Sequence, residues 1–292
     1  MKKIIAILIV LLVTGFTFAA PPINIGPNVE GLDAGIFQAK FNAAPKAVDV
    51  NGIAQKLVGN EQFSTFGNVR SYNVSNTVLR IDSIKGDVVF RKPFNLDAAV
   101  IAILPSKEEA PAIALQHLAD LDMMPASEEL VLQDVGGLTV ATYDASTGET
   151  IELEKIRTVY FRREIAGIPV HGASRVVVKL GENGELLGVI KRWTEVSMET
   201  LHPSQLKSNN QFRSLVNQGA LKRNAAASRV DIKEAKLVLW DDGTFIEPAL
   251  LVQGDAFDND VKYVTDFVIP LLKNPQATYP GEAELTGDMP QE

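Results

Sequence analysis

Apolar and polar residues alternate along much of this chain with a period of two, and that alternation predicts a protein dominated by strands. In the clearest instance Val176, Val178 and Leu180 share one face while Arg175 and Lys179 take the other. The pattern predicts strands at 68–74, 77–83 and 87–91, then at 138–143, 156–165, 170–180 and 186–193, and again at 235–240, 248–254 and 262–269. In the last of these Tyr263, Thr265, Phe267 and Ile269 line one face. Turn chemistry separates the strands. Lys85-Gly86-Asp87 closes a hairpin spanning 79–91, and Asp144-Ala145-Ser146-Thr147-Gly148 and Asp241-Asp242-Gly243-Thr244 make polar turns. Glu182-Asn183-Gly184-Glu185 contains Asn-Gly, both of whose residues tolerate positive φ, so 170–180 and 186–193 read as a hairpin.

Three segments break the period-two pattern. A short helix is predicted at 48–58, weakened by Gly52. Ser106-Lys107-Glu108-Glu109 is a capping box, in which Ser106 and Glu109 satisfy each other's free backbone N–H groups. The stripe Ala110, Ile113, Ala114, His117, Leu118 and Leu121 continues from it at helical spacing until Met123-Met124-Pro125. His117 lies on that stripe and reads as a packed helix histidine. A third helix follows His202-Pro203-Ser204, with Phe212, Leu215, Val216 and Gly219 on one side. A helix followed by antiparallel strands, two or three times over and without strict β-α alternation, predicts the α+β class.

The N-terminus is an address. Met1-Lys2-Lys3 precedes an unbroken apolar run from Ile4 to Val13, then small residues to Ala20 and Pro21-Pro22. This is the layout of a secretory signal peptide over residues 1–19, with Thr17 and Ala19 at the cleavage site. The alternative is a transmembrane anchor, since Ile4 to Ala20 reaches the lower limit of the roughly 20 residues needed to span a bilayer; cleavage is the favoured reading, and no later stretch is apolar for long enough to cross one. The expectation is a secreted, periplasmic or cell-envelope protein of bacterial type, with no stable membrane anchor after cleavage. Removal of Lys2 and Lys3 with the signal deepens the formal charge from −8 to −10.

Composition narrows the chemistry. With 292 residues, 46% of them hydrophobic and 22% charged, the chain is globular and long enough for more than one domain. A charge of −8 and a pI near 5.1 argue against a nucleic-acid partner, which requires clustered Lys and Arg. The absence of Cys excludes disulfides, thiolate nucleophiles and thiolate metal sites, and three His leave little for a multi-histidine centre. Asn73-Val74-Ser75 matches a glycosylation sequon that carries no weight in a bacterial protein.

Val159-Tyr160-Phe161-Arg162-Arg163-Glu164-Ile165-Ala166-Gly167-Ile168-Pro169-Val170-His171-Gly172 resembles the FTP-type propeptide domains of thermolysin-like and fungalysin-like metalloproteases. In those domains a strand ending in an Arg-containing stretch reaches Gly-X-Pro-Val, a Gly and a returning strand, here 174–180. The helix from Ser106 sits where those propeptides carry one. The later stretch, with its strands at 236–240, 248–254 and 262–269, loosely resembles the companion PepSY module. The resemblance implies tandem modules of a helix packed on a curved antiparallel sheet, cystatin-like or PepSY-like. The expected division is a signal at 1–19, a flexible lead-in at 20–46, an N-terminal α+β module at 47–105, an FTP-like module at 106–200, a PepSY-like module at 201–279 and a disordered acidic tail at 280–292. Read on its own chemistry, the hairpin at 167–172 is structural: Gly167 allows positive φ, Pro169 fixes the next strand, and Gly172 permits a bulge or close backbone approach.

No catalytic set emerges. No His-Glu-X-X-His occurs, and His117, His171 and His202 are too far apart in sequence to form it. Gly-X-Ser-X-Gly and phosphate-binding loops are absent. Asp255, Asp258 and Asp260 occupy an acidic stretch that lacks a calcium-loop arrangement and reads as a solvated inter-strand loop. Glu149, Glu152 and Glu154 read as strand-edge charges that discourage edge-to-edge pairing. Arg157, Arg162, Arg163, Lys191 and Arg192 form either a basic strip on a sheet or ordinary outward charges, the latter being favoured. No catalytic, cofactor or metal residue is therefore assigned, and no cofactor is expected. The resemblance implies a non-enzymatic module that binds an exported protein partner, in the first instance a secreted metalloprotease, as inhibitor or folding aid. The alternative is a structural or cell-envelope assembly protein using the same fold.

Overall fold

A computed structural model describes residues 23–25, 39–43, 48–59, 62–97, 102–144, 146–224, 226–258 and 261–280. The segment expected to be a signal peptide and the expected acidic tail beyond 280 lie outside the described residues. The chain is α+β, with three α-helices among the described residues against an extensive, largely antiparallel network of strands.

In chain order the elements are β1 (Ile23–Ile25), β2 (Ala39–Ala43), α1 (Val50–Val58), β3 (Ser64–Phe66), β4 (Val69–Val74), β5 (Thr77–Asp82), β6 (Val88–Arg91) and α2 (Ala110–Asp120). There follow β7 (Leu130–Asp144), β8 (Glu149–Ile165), β9 (Ile168–Gly172), β10 (Arg175–Leu180), β11 (Leu186–Arg192), β12 (Val196–Thr200) and α3 (Asn209–Arg223). β13 (Arg229–Asp241), β14 (Phe245–Asp258) and β15 (Val261–Pro270) complete the set. Hydrogen bonding joins the strands in the order β12-β2-β14-β13-β9-β8-β10-β11-β6-β5-β4-β3, with β1 on β13, β15 on β14 and β7 on β8.

Local chemistry explains the helices. Asp49 accepts from the Gly52 N–H at the start of α1. Ahead of α2 the Ser106–Glu109 capping box forms as its spacing predicts, with Glu109 N donating to Ser106 Oγ (3.1 Å) and Ser106 N to Glu109 Oε2 (3.2 Å). Ser208 and Gln211 make a second capping box at α3. Each helix buries one stripe. Ala110, Ala114 and Leu118 of α2, with Val50, Ile53 and Ala54 of α1, close over Leu79, Phe90, Val159, Phe161, Val176, Val178 and Val189. Phe212, Val216 and Ala220 of α3 close over Val230, Ile232, Val252, Phe267 and Ile269. His117 packs as expected, its Nε2 lying 2.9 Å from the Gly184 carbonyl in the Asn-Gly turn.

Three expectations change. First, the lead-in holds two strands: β1 runs parallel to β13, and β2 pairs with both β12 and β14. Phe41 of β2 is buried in a third, small core with Ile165, Val170, Leu239 and Ile246. Strands this short show no readable alternation, and their partners lie far along the chain. Second, the segments read as separate units at 47–105 and 106–200 share a sheet through β6 and β11 and share one core.

Third, the strand expected at 170–180 is two strands. β9 pairs with β8 at Pro169–Glu164, β10 resumes pairing at Arg175–Arg162, and residues 170–174 stand opposite Arg163 alone. In that excursion Val170, His171 and Gly172 run parallel to Leu239, Trp240 and Asp241 of β13, which joins the two halves of the network. Gly172 has φ +110°, and a Cβ there would lie 2.0 Å from the Asp241 carbonyl oxygen. Asp241 also accepts from the Ala173 N–H (2.9 Å), the Ser174 hydroxyl and the Gly243 N–H (2.7 Å).

This geometry predicts that Gly172→Ala lowers unfolding free energy by about 3 kcal/mol or prevents folding. Gly167→Ala, at φ +77° with open space around it, is expected to cost only about 1 kcal/mol. Urea midpoints of the two variants check the contrast.

A candidate protein-interaction edge

The longest hairpin of the molecule is β7–β8. Its turn is set by Gly148 at φ +74° and by the Glu149 N–H donating to Thr147 Oγ1 (3.3 Å). Pairing runs from Leu130–Arg163 to Asp144–Glu149, with irregularities at Gln133 on β7 and Lys155 on β8. The two ends of this hairpin sit in different surroundings. From Arg157 to Arg162, β8 lies between β7 and β10; before Arg157 its only described partner is β7. The distal part, residues 139–154, is therefore a two-stranded ribbon. Both faces are largely exposed, with Tyr143 at 66% and Ile151 at 50% exposure. A two-stranded ribbon has too little buried surface to be stable by itself and depends on its root or on a partner.

The root is held by buried cations. The Arg157 guanidinium donates to both oxygens of Glu154 (3.0 and 2.8 Å) and to the Pro105 carbonyl (3.1 Å). Lys155, also buried, donates to the Asp97 carbonyl (2.6 Å). Arg163, 1% exposed, donates to Glu129 (2.7 Å) and to the Thr194 carbonyl (2.8 Å) and lies over the Trp193 ring at 4.9 Å. Two of the five residues weighed as a basic strip are thus buried and fully engaged, so neither the strip nor the outward reading holds for them. Arg162 is exposed and paired with Glu164 at 3.1 Å. The alternation carried the signal, since Arg157 and Arg163 fall in phase with the inward Val159 and Phe161.

Beyond the root, the hairpin is acidic. Residues 128–154 contain Glu128, Glu129, Asp134, Asp144, Glu149, Glu152 and Glu154 and no Lys, Arg or His, a formal −7 against −8 for the whole chain. Glu129 and Glu154 are consumed by Arg163 and Arg157. Asp134, Glu149 and Glu152 are exposed, and among the described residues no cation pairs with them. This concentration is visible in the sequence but is lost in a whole-chain average. On the other side, β7 has no neighbour among the described strands.

The remaining candidates are structural. Asp255 lies within β14, not in a loop, and its carboxylate takes Lys233 and Lys262, which hold it below the usual carboxylate range. Asp258 ends the same strand, and Asp260 lies outside the described residues. Among the described residues no group of His, Asp or Glu is arranged to hold a metal ion. The three histidines are not brought together. His117 bonds the Asn-Gly turn, His171 sits in β9, and His202 caps a short turn at Ser204. The 167–172 hairpin is a tight turn at Ala166-Gly167 (φ +51° and +77°) followed by the Gly172 contact, as its structural reading predicts. A cleft of about 250 Å³ lies between α1, the β5–β6 turn and the end of β11, lined by Asp49, Lys85, Asp122, Lys191, Trp193 and Glu195 among others. Burial pushes the Lys191 ammonium down, against the pull of Glu195 and Asp87.

No family model matches the chain, and no curated protein matches it. Among solved structures, an uncharacterized protein from Eubacterium rectale aligns over 87% of this chain and 88% of its own, at 13% identity and a TM-score of 0.39. The Bacillus megaterium YpeB C-terminal domain aligns over 78% of this chain and 100% of its own, at 16% identity and a TM-score of 0.33.

Burial and the nearby Arg162 guanidinium push the His171 imidazole below its ordinary value, opposed by Asp266. The folded chain then binds fewer protons here than the unfolded chain, so stability falls as pH drops through about 6.5. His171→Gln is expected to flatten the stability profile between about pH 7.5 and 5.5. Denaturation midpoints across that window check it, and an unchanged slope would remove His171 from the account.

Proposed function

We propose that this chain is an exported, non-enzymatic binding module that holds another exported protein through the β7–β8 hairpin. The observation that carries this reading is the ribbon itself: a long strand pair, rooted by buried ion pairs and unaccompanied beyond them. Ordering such a ribbon in water gains little for folding alone, whereas a partner strand lying along β7 would use its edge and pack beside Tyr143.

The partner class follows from the propeptide resemblance. We read α2 with β8, β10 and β11, and α3 with β13, β14 and β15, as two tandem helix-on-curved-sheet modules of the FTP and PepSY kind. As a prodomain-like module it would act on a protease, as inhibitor or folding aid. The separate burial stripes of α2 and α3 support the two-module reading.

A photo-crosslinking side chain at Tyr143, compared with one at Asn210 on α3, tests the binding surface in culture medium. The expected outcome is an adduct with one identified exported protein from Tyr143 and none from Asn210. Equal labelling at both positions, or none at either, would overturn the reading. For the protease class, peptide hydrolysis by secreted thermolysin-like enzymes should slow at micromolar excess of the chain, and unchanged rates would remove that class.

A further inference from the structure

The free side of β7 defines what it would bind more closely. Every second residue of an edge strand directs its N–H and C=O away from its neighbour, so among the described residues β7 presents a hydrogen-bonding row along Leu130–Asp144 that no strand takes up. Edge strands ordinarily carry Lys, Pro or brevity as protection against pairing. β7 is 15 residues long, contains no Pro, Lys or Arg, and is rich in Val, Leu and Thr.

The register determines its two faces. Val140 opposite Leu153 and Thr142 opposite Ile151 make one face, apolar at Val140, Leu153 and Ile151 and acidic toward the turn, where Asp144 stands opposite Glu149. Thr139 opposite Glu154, Ala141 opposite Glu152 and Tyr143 opposite Thr150 make the other, where Glu152 pairs with no cation among the described residues. A second copy of this chain would set one acidic hairpin against another, and like charges brought together oppose association. Resting on the binding role proposed above, we infer that β7 accepts an extended segment of another protein as an added strand, with Lys or Arg alternating with aliphatic residues. In that arrangement the aliphatic side chains continue the Val140–Ile151 face and the cations lie beside Glu152 on the other.

The test uses the full chain and a synthetic strand-length peptide of alternating Lys and Val, followed by fluorescence anisotropy. Binding is expected, weakening as salt rises. A peptide with Glu in place of Lys is expected not to bind, nor is a Lys-Val peptide N-methylated at alternate amides along one edge. Glu152→Lys should weaken the Lys-Val peptide about tenfold without shifting the thermal unfolding midpoint. Equal binding of the N-methylated peptide would overturn strand addition, and equal binding of the Glu peptide would overturn the charge rule. Self-association through β7, seen by sedimentation and abolished by Val140→Pro, would assign the edge to a second copy instead. If Tyr143 crosslinks an exported protein while the Lys-Val peptide fails to bind, this inference falls and the binding role stands; if both fail, both fall.

Discussion

The two halves of the sheet network meet at the backbone contact between Gly172 and Asp241, and much else follows from the chain having to reach it. To lie beside β13, the returning strand leaves β8 over residues 170–174, which requires a positive φ where the carbonyl of Asp241 leaves no room for a Cβ. Asp241 consolidates the junction by accepting from Ser174 and Gly243, so a buried carboxylate is matched by donors on both sides. The excursion leaves Arg163 unmatched on that side of β8. The guanidinium there turns to Glu129, Thr194 and Trp193, which ties the start of β7 to the end of β11.

Arg163 and Arg157 thus bracket the portion of β8 that belongs to the body. A buried ion pair is weak support for stability, because desolvation offsets most of the attraction, but it is a strong constraint on geometry once the burial is fixed. Each guanidinium has a fork-shaped donor set that fits one arrangement of partners. Arg157 joins Glu154 to the Pro105 carbonyl, fixing the point at which β8 leaves the body and the ribbon begins. The direction of the ribbon is therefore set by its root even though the ribbon buries little of itself.

Features written in local chemistry were legible in the sequence. The Ser106–Glu109 box, the Asn183-Gly184 turn and the α3 stripe depend on neighbours a few residues apart. The strands β13 to β15 were placed correctly but too short, because the charged residues interleaved at Arg229–Lys233 and Asp255–Asp258 mask the inward Val230, Ile232 and Ala256 that tertiary pairing holds extended. β1 and β2 escaped because their pairing partners are remote, and β9 escaped because nothing local separates a bulged excursion from an unbroken strand. For the interaction edge, the length of β7 was hidden by Gly136-Gly137, which reads as a break. In the fold Gly137 instead lets the backbone pass close to the Ile156 carbonyl.

The placement of the acidic residues bears on whether they merely guard an edge. Guard charges act best on the outermost strand, where a second edge would meet them directly. Here β7, the outermost strand, carries only Asp134 and Asp144, while Glu149 and Glu152, which no described cation pairs, lie on β8, one strand inward. From that position they leave the hydrogen-bonding row of β7 unobstructed while setting the potential around it. Such an arrangement discriminates among strands instead of excluding all of them: it disfavours another acidic hairpin and favours a cationic one. Specificity obtained by repelling one class of partner and attracting another needs no pocket.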